Sequence, residues 1–141
     1  MMQNAPVYIN GDGSTTRDFC PVANIVQANI LAATTANADA VNTIYNIALG
    51  GSTALSGLFQ MLHGRLLAAY PHLRELKPAH RPFQPGDIRH SRADISKARR
   101  LLGYAPIHDI DTGLDETLAW HLAKHSKQRP NRDVPKQVSN L

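Results

Sequence analysis

Only two short segments of the sequence have strand character, and a helical stretch separates them. Val7 and Ile9 alternate on one side of the first segment, and residues 41–47, the second, are rich in β-branched side chains. Between them, residues 22–33 carry apolar side chains at helical spacing. This order predicts a parallel crossover unit, and parallel strands require neighbours on both edges. The sequence therefore predicts an α/β chain whose main sheet lies elsewhere.

The first strand-like segment leads into a glycine-rich turn and then into an arginine beside the start of the helix. The turn covers residues 10–13, and Arg17 and Asp18 follow two threonines. A strand, a flexible turn and a fixed cation at a helix start form an arrangement able to hold an anion. The alternative is an ordinary turn with a surface arginine, and the spacing by itself favours that alternative.

Three more helices are predicted in the second half of the chain. The first is expected over residues 55–69, with Ser52 or Thr53 as its N-cap. The second is a short helix that begins at Asp94 as N-cap and ends at Gly103. The last begins near Asp109 or Asp111 and ends at about His125. The proline-rich residues 78–87 are expected to be irregular. Residues 126–141 are polar, basic and broken by two prolines, so we expect this tail to be disordered.

Composition narrows the class of protein. A chain of 141 residues can form one domain with a modest core. No apolar run is long enough to cross a bilayer, so the sequence predicts a cytoplasmic protein without a membrane partner. The single cysteine, Cys20, cannot form an internal disulfide and has no companion for a zinc site.

The charged residues leave two further interpretations open. Net charge is +4, with most cations after residue 64, which would suit nucleic acid or a phosphorylated ligand. Aromatic residues are not interleaved with these cations, so a solvated helix face and a basic tail are favoured over a nucleic-acid-binding module. His121 and His125 are four residues apart but have no evident third ligand, so no metal site is predicted.

Three motifs together resemble one known family. They are PVYINGDGSTTRDF, YNIALGG and PGDIRHSRADISKARRLLGY. In this order they resemble the C-terminal part of extended short-chain dehydrogenase/reductases, above all UDP-N-acetylglucosamine 4-epimerases and related sugar-nucleotide 4-epimerases. The resemblance covers Pro6 to about His125, so residues 1–125 are expected to form a nucleotide-sugar-binding region followed by the tail of residues 126–141.

The resemblance implies roles for individual residues. In this family an N-terminal Rossmann domain holds NAD, and the C-terminal part binds the nucleoside diphosphate of the sugar nucleotide. Arg17 matches a pyrophosphate ligand, Tyr8 and Asn10 match positions beside the uridine, and Asp87 matches a residue that hydrogen-bonds the ribose. These residue types suit those groups, because a guanidinium pairs with phosphate oxygens and a carboxylate accepts from hydroxyl groups.

Several positions depart from the family pattern. Gln84 occupies the position before the PGD motif at which the family usually has a second arginine. It is included among the predicted substrate-binding residues because of that position. Pro21 and Ala23 replace a tyrosine and an aspartate that usually follow the RDF motif. The loss of one charge-assisted contact costs about 1.5–3 kcal/mol, or roughly tenfold to a hundredfold in affinity. The departures therefore predict weakened binding of a UDP-sugar.

The catalytic apparatus of the family has no counterpart in this sequence. No tyrosine is followed four residues later by lysine, and no complete glycine motif for a dinucleotide is present. We therefore predict no catalytic residue and no NAD site in these residues, and no epimerase activity from this chain alone. Two hypotheses follow from the resemblance: a substrate-binding part that works with a separate Rossmann-domain chain, or a remnant that binds UDP-sugars weakly or not at all.

Overall fold

The computed structural model describes residues 1 and 5–127, with side chains described to residue 124. The predicted disordered tail therefore lies almost entirely outside the described residues. The elements in chain order are β1 (Tyr8–Asn10), β2 (Thr16–Arg17), α1 (Val22–Thr34), a 3-10 turn (Ala38–Ala40), β3 (Thr53–Ala54), α2 (Leu55–Leu67), a second 3-10 turn (Pro71–Leu73), β4 (Ala79–Arg81), α3 (Ser96–Leu102) and α4 (Ile110–Lys127).

The strands form two small sheets of two strands each. β1 pairs in parallel with β4, and β2 pairs antiparallel with β3. The prediction that residues 78–87 are irregular is wrong for β4, whose ends are tied to the first strand by hydrogen bonds from Ala79 N to Val7 O (2.8 Å) and from Gly11 N to Arg81 O (2.7 Å). Pro78 and Pro82 lie just outside this short strand, where a missing N–H costs no ladder hydrogen bond.

Residues 41–47 do not form the predicted strand. Asn42 has a positive φ of 55°, which breaks an extended run, and Ile44 is 88% exposed. The hydroxyl of Tyr45 donates to Ala40 O at 2.8 Å, so this segment folds back on itself. Among the described residues no strand pairs with it, and a strand without a partner leaves its backbone groups to solvent. The parallel neighbour of β1 is β4, so the predicted crossover unit is wrong in its second strand.

Helix α1 lies where it is predicted, but its apolar stripe faces outward. Val22, Val26 and Ile30 are 75%, 51% and 58% exposed, whereas Asn24 and Ala28 are buried. Ala28 packs in the core with Ala98 of α3, and such small side chains allow the two helices to approach closely. The outward stripe therefore leaves several large apolar side chains of one helix exposed to solvent, a feature typical of surfaces that contact another protein.

The main core lies between α1, α3 and the segment that follows α3. Ala98 and Tyr104 are 0% and 1% exposed, and the Tyr104 hydroxyl donates to Ala48 O at 2.9 Å. The predicted end of α3 is confirmed, because Gly103 has φ 67° and closes the helix in the left-handed conformation. The predicted N-cap of α3 is wrong by one residue, because Ile95 and not Asp94 is the N-cap. Asp94 directly precedes it, and its Oδ1 accepts a hydrogen bond from Ser96 N at 2.9 Å.

Helix α2 has a different N-cap from the predicted one. Ala54 is the N-cap, and Ser52 and Thr53 precede it without capping the helix through their side chains. The first amides of α2 instead donate to backbone carbonyls of the β1–β2 turn, from Leu55 to Thr15 O (2.9 Å) and from Ser56 to Gly13 O (3.0 Å). Because neighbouring carbonyls already satisfy these N–H groups, a capping hydroxyl is not required.

Helix α4 begins as predicted and is tied to α2 by ion pairs. Asp109 Oδ1 accepts from Thr112 N at 2.8 Å, and Arg65 of α2 contacts Asp111 and Asp115, each at 2.6 Å.

Within the described part of the chain, no helix combines the length and the apolar character needed to span a membrane.

Candidate functional site

The residues predicted to bind substrate lie on two chain segments that run side by side. Residues 8–17 and 79–91 meet first at the β1–β4 pair and again at Thr16, which forms a parallel bridge with His90. Thr16 N donates to Arg89 O at 2.9 Å, and Ser91 N donates to Thr16 O at 3.2 Å. The fold therefore brings together two motifs that are about 70 residues apart in sequence.

Arg17 and Asp87 contact each other directly. Arg17 Nη2 lies 2.5 Å from Asp87 Oδ1, and the two side chains are 30% and 33% exposed. Arg17 Nη1 also donates to the carbonyls of Thr16 (2.8 Å) and Arg89 (3.5 Å), which fixes the guanidinium against the backbone of both segments. The predicted pyrophosphate ligand and the predicted ribose ligand thus form one half-exposed ion pair.

A proline–glycine turn positions Asp87 and also fixes the place of Gln84. Asp87 N donates to Gln84 O at 3.1 Å, and Gly86 has φ 80°. A hydrogen bond across four residues, with proline second and glycine third in the left-handed region, defines a type II turn. The PGD motif is therefore a turn that directs the Asp87 carboxylate at Arg17, and Gln84 is its exposed first residue.

Tyr8 and Asn10 occupy the neighbouring strand pair. Tyr8 is 47% exposed, and the guanidinium carbon of Arg81 lies 3.3 Å from the centre of its ring. Asn10 is half-buried and is the register partner of Arg81. The two residues share the strand pair that leads into the Arg17–Asp87 region, without a recorded contact to that ion pair.

Four side chains that the sequence did not assign to the site contact its loops. His80 Nδ1 lies 2.7 Å from Gly11 O, and His90 Nδ1 lies 3.0 Å from Thr16 Oγ1. The other two are Phe83 and Arg89, whose guanidinium carbon lies 3.6 Å from the centre of the Phe83 ring. No local pattern could have indicated Arg89, because its place depends on the bridge between Thr16 and His90, which are distant in sequence.

Asp18, the partner of Arg17 in the RDF motif, connects the site to the core. Its carboxylate accepts from the amides of Leu49 (3.1 Å), Gly50 (3.0 Å) and Ala93 (3.3 Å). Three backbone donors on one carboxylate hold two distant loops in place, and each such bond to a charged group is stronger than a neutral one. Asp18 therefore positions the loops around the site.

The departures at Pro21 and Ala23 are half-buried positions at the start of α1. Pro21 is the N-cap without a side-chain cap bond, and a Cβ on Gly113 of α4 would overlap its ring. Ala23 lines an apolar groove with Val26 and Ile107. Neither side chain supplies a polar group to the Arg17–Asp87 region.

The described tyrosine and cysteine side chains near the core do not have the properties of a base or nucleophile. Burial raises the pKa of Tyr104 to about 12, and burial likewise raises the pKa of the Cys20 thiol. A catalytic tyrosine or cysteine requires a pKa shift in the opposite direction.

Within residues 5–124, no group of three or more potential metal ligands comes together.

Comparisons with known proteins show what the chain as a whole is similar to. The model of the NAD dependent epimerase/dehydratase family matches residues 1–48. The UDP-glucose 4-epimerase of Thermotoga maritima, solved with UDP-glucose, is 30% identical to this chain, covers 89% of it with 37% of its own length, and has a TM-score of 0.75. These matches support the assignment of the chain to the epimerases of the extended short-chain dehydrogenase/reductase family.

Two further solved structures are similar to this chain. The UDP-N-acetylglucosamine 4-epimerase of Methanobrevibacter ruminantium, solved with UDP-N-acetylmuramic acid, is 32% identical and covers 86% of this chain with 36% of its own, at a TM-score of 0.73. MoeE5, solved with UDP-glucuronic acid and NAD, is 26% identical and covers 87% of this chain with 38% of its own, at a TM-score of 0.69. The chain spans about a third of the length of the curated relatives it matches, for example 29%, 34% and 35% of three of them.

Proposed function

We propose that this chain is the sugar-nucleotide-binding part of an NAD-dependent epimerase, and that it binds the nucleoside diphosphate of a UDP-sugar. The observation that carries the proposal is the Arg17–Asp87 contact of 2.5 Å. It places a guanidinium suited to a diphosphate beside a carboxylate suited to ribose hydroxyls, on a face that is open to solvent.

Binding would rearrange this ion pair. A diphosphate offers Arg17 several oxygens in the fork geometry that a guanidinium prefers, so it can replace the single Asp87 oxygen. Asp87 is then free to accept hydrogen bonds from the ribose, while the turn that begins at Gln84 keeps it in place. Tyr8 and Asn10 extend the site along β1 toward the base.

Catalysis in this proposal requires a second component. The sequence supplies no tyrosine–lysine pair, and Tyr104 has a raised pKa, so the base and NAD would come from a Rossmann domain. The outward apolar side chains of α1 and the exposed Ile44 offer a surface that such a domain would cover. We expect NAD alone to produce no binding signal with this chain.

Calorimetric titration of the purified chain with UDP, at moderate salt, tests the proposal. We expect saturable binding that Arg17→Ala abolishes and that Arg74→Ala, an exposed arginine outside the site, leaves unchanged. Heat equal to that of dilution, from a chain that is folded by circular dichroism, would overturn the proposal.

That negative outcome would favour the remnant hypothesis. Gln84 and Ala23 are the observations behind it, because both positions depart from the family pattern and neither carries a charge that could hold the substrate. A remnant would keep the fold and the Arg17–Asp87 pair but would have too few contacts to retain a UDP-sugar.

A further inference from the structure

We propose that Arg89 is the second cation of the diphosphate site and takes over the role that Gln84 cannot fill. The inference rests on the proposed function and names a residue that the sequence did not assign to the site. Its starting point is charge: Arg17 is already neutralised by Asp87 at 2.5 Å, so a diphosphate that meets only this pair meets no net positive charge.

The backbone places Arg89 next to the ion pair. His90 and Thr16 form a parallel bridge, and their side chains contact each other at 3.0 Å. Arg89 lies at a bend directly before His90, so its backbone is part of the segment that runs beside Thr16 and Arg17. Arg17 is likewise next to Thr16 on its own strand, and its Nη1 donates to the carbonyl of Arg89 at 3.5 Å.

An aromatic platform orients the Arg89 guanidinium. Its central carbon lies 3.6 Å from the centre of the ring of Phe83, the residue directly before Gln84. Phe83 in turn packs on Gly11, where a Cβ would overlap its ring and where φ is 78°. A guanidinium that lies on an aromatic face keeps its N–H edges available for phosphate oxygens.

The neighbouring acidic group is already occupied. Asp12 Oδ1 accepts from both Ser14 N (2.9 Å) and Ser14 Oγ (2.6 Å), and these bonds are the main cause of its lowered pKa, with a smaller contribution from the charge of Arg89. No ion pair between Arg89 and a carboxylate is recorded within 4 Å among the described residues. Arg81 is also nearby, but its guanidinium lies over Tyr8, at the end of the site assigned to the base.

Titrations with UDP and with UMP test the inference. Arg89→Gln is expected to weaken UDP binding by roughly tenfold to a hundredfold and UMP binding by less, since UMP lacks the second phosphate. The matched control is Arg92→Gln, which removes the same charge three residues further on and lies in a different cleft with Gly50 and Arg99. We expect this control to bind UDP like the unmodified chain.

A rescue variant sharpens the test. Adding Gln84→Arg to Arg89→Gln returns a cation to the same place, so we expect most of the lost UDP affinity to return. Equal UDP binding by the Arg89→Gln variant and the unmodified chain would overturn this inference while an effect of Arg17→Ala still supported the proposed function. An equal loss for UDP and UMP would also overturn it, because Arg89 would then not act on the second phosphate. Absence of UDP binding by the unmodified chain would overturn both.

Discussion

The Tyr104 core and the Arg17 site are built from opposite kinds of interaction. In the core, small side chains such as Ala98 are fully buried and the polar contacts are neutral hydrogen bonds to carbonyls. In the site, the side chains of Arg17 and Asp87 are about one-third exposed and carry full charges. Buried packing contributes strongly to folding, whereas exposed ion pairs contribute little. Stability and ligand binding should therefore respond to different substitutions.

The largest expected effect is on the core. Tyr104→Ala removes a side chain that is 1% exposed, and we expect the free energy of unfolding to fall by about 3–5 kcal/mol. Urea unfolding followed by circular dichroism measures this change. Tyr104→Phe keeps the ring and loses only the bond to Ala48, so it should cost less; equal losses for the two variants would contradict the packing argument.

A buried amide on α1 gives the next effect. Asn24 is 0% exposed, donates to His108 O (2.7 Å) and accepts from the amides of Ile107 and His108 (both 3.0 Å). Asn24→Ala leaves these groups without a partner, and we expect a loss of about 2–3 kcal/mol in the free energy of unfolding. The exposed Asn29→Ala on the same helix is the control, with an expected change within about 0.5 kcal/mol. A similar loss from both variants would mean that helix propensity, and not the buried amide, dominates.

A substitution in the site should separate binding from stability. Asp87→Asn removes an exposed ion pair, so the free energy of unfolding should change by less than about 1 kcal/mol. UDP affinity should fall by about tenfold because the ribose loses a charged acceptor. Inorganic pyrophosphate should bind no more weakly, since Arg17 is released from its partner. Weaker pyrophosphate binding would show that Asp87 supports Arg17 instead of competing for it.

The smallest expected effect is on how steeply the melting temperature falls at acid pH. Hydrogen bonds from Thr112 lower the pKa of Asp109, and hydrogen bonds from Ser96 lower the pKa of Asp94. A lowered pKa in the folded state adds stability above the unfolded value, near 4, and this stability is lost as pH falls through the folded value. The melting temperature measured from pH 6 to pH 2.5 should therefore fall less steeply for Asp109→Asn, since asparagine caps a helix without titrating. An unchanged slope would argue against the cap contribution.

Local sequence signals predicted the helices well. The spacing of apolar residues located α1, and Asp109 and Gly103 marked helix ends that the structure confirms. Each of these signals acts within one or two turns of the chain, so it is readable without knowledge of the rest of the molecule.

Long-range contacts account for the errors. The strand β4 was missed because its hydrogen bonds go to Val7 and Gly11, which no local pattern links to residues 79–81. The cap of α2 was wrong for the same reason, since Gly13 and Thr15 supply the acceptors. Residues 41–47 have strand composition but no strand partner among the described residues, and β propensity depends on such partners.

By itself, the sequence determined the helix positions, and its three motifs indicated the resemblance to an epimerase family and the four residues matched to it, Tyr8, Asn10, Arg17 and Asp87. Only the tertiary structure decided that Arg17 and Asp87 form an ion pair, that the Arg89 guanidinium lies over the Phe83 ring, and that the apolar stripe of α1 faces outward. The physical reason is range: capping and periodicity act between near neighbours in the chain, whereas charge pairing and burial depend on which distant segments the fold brings together.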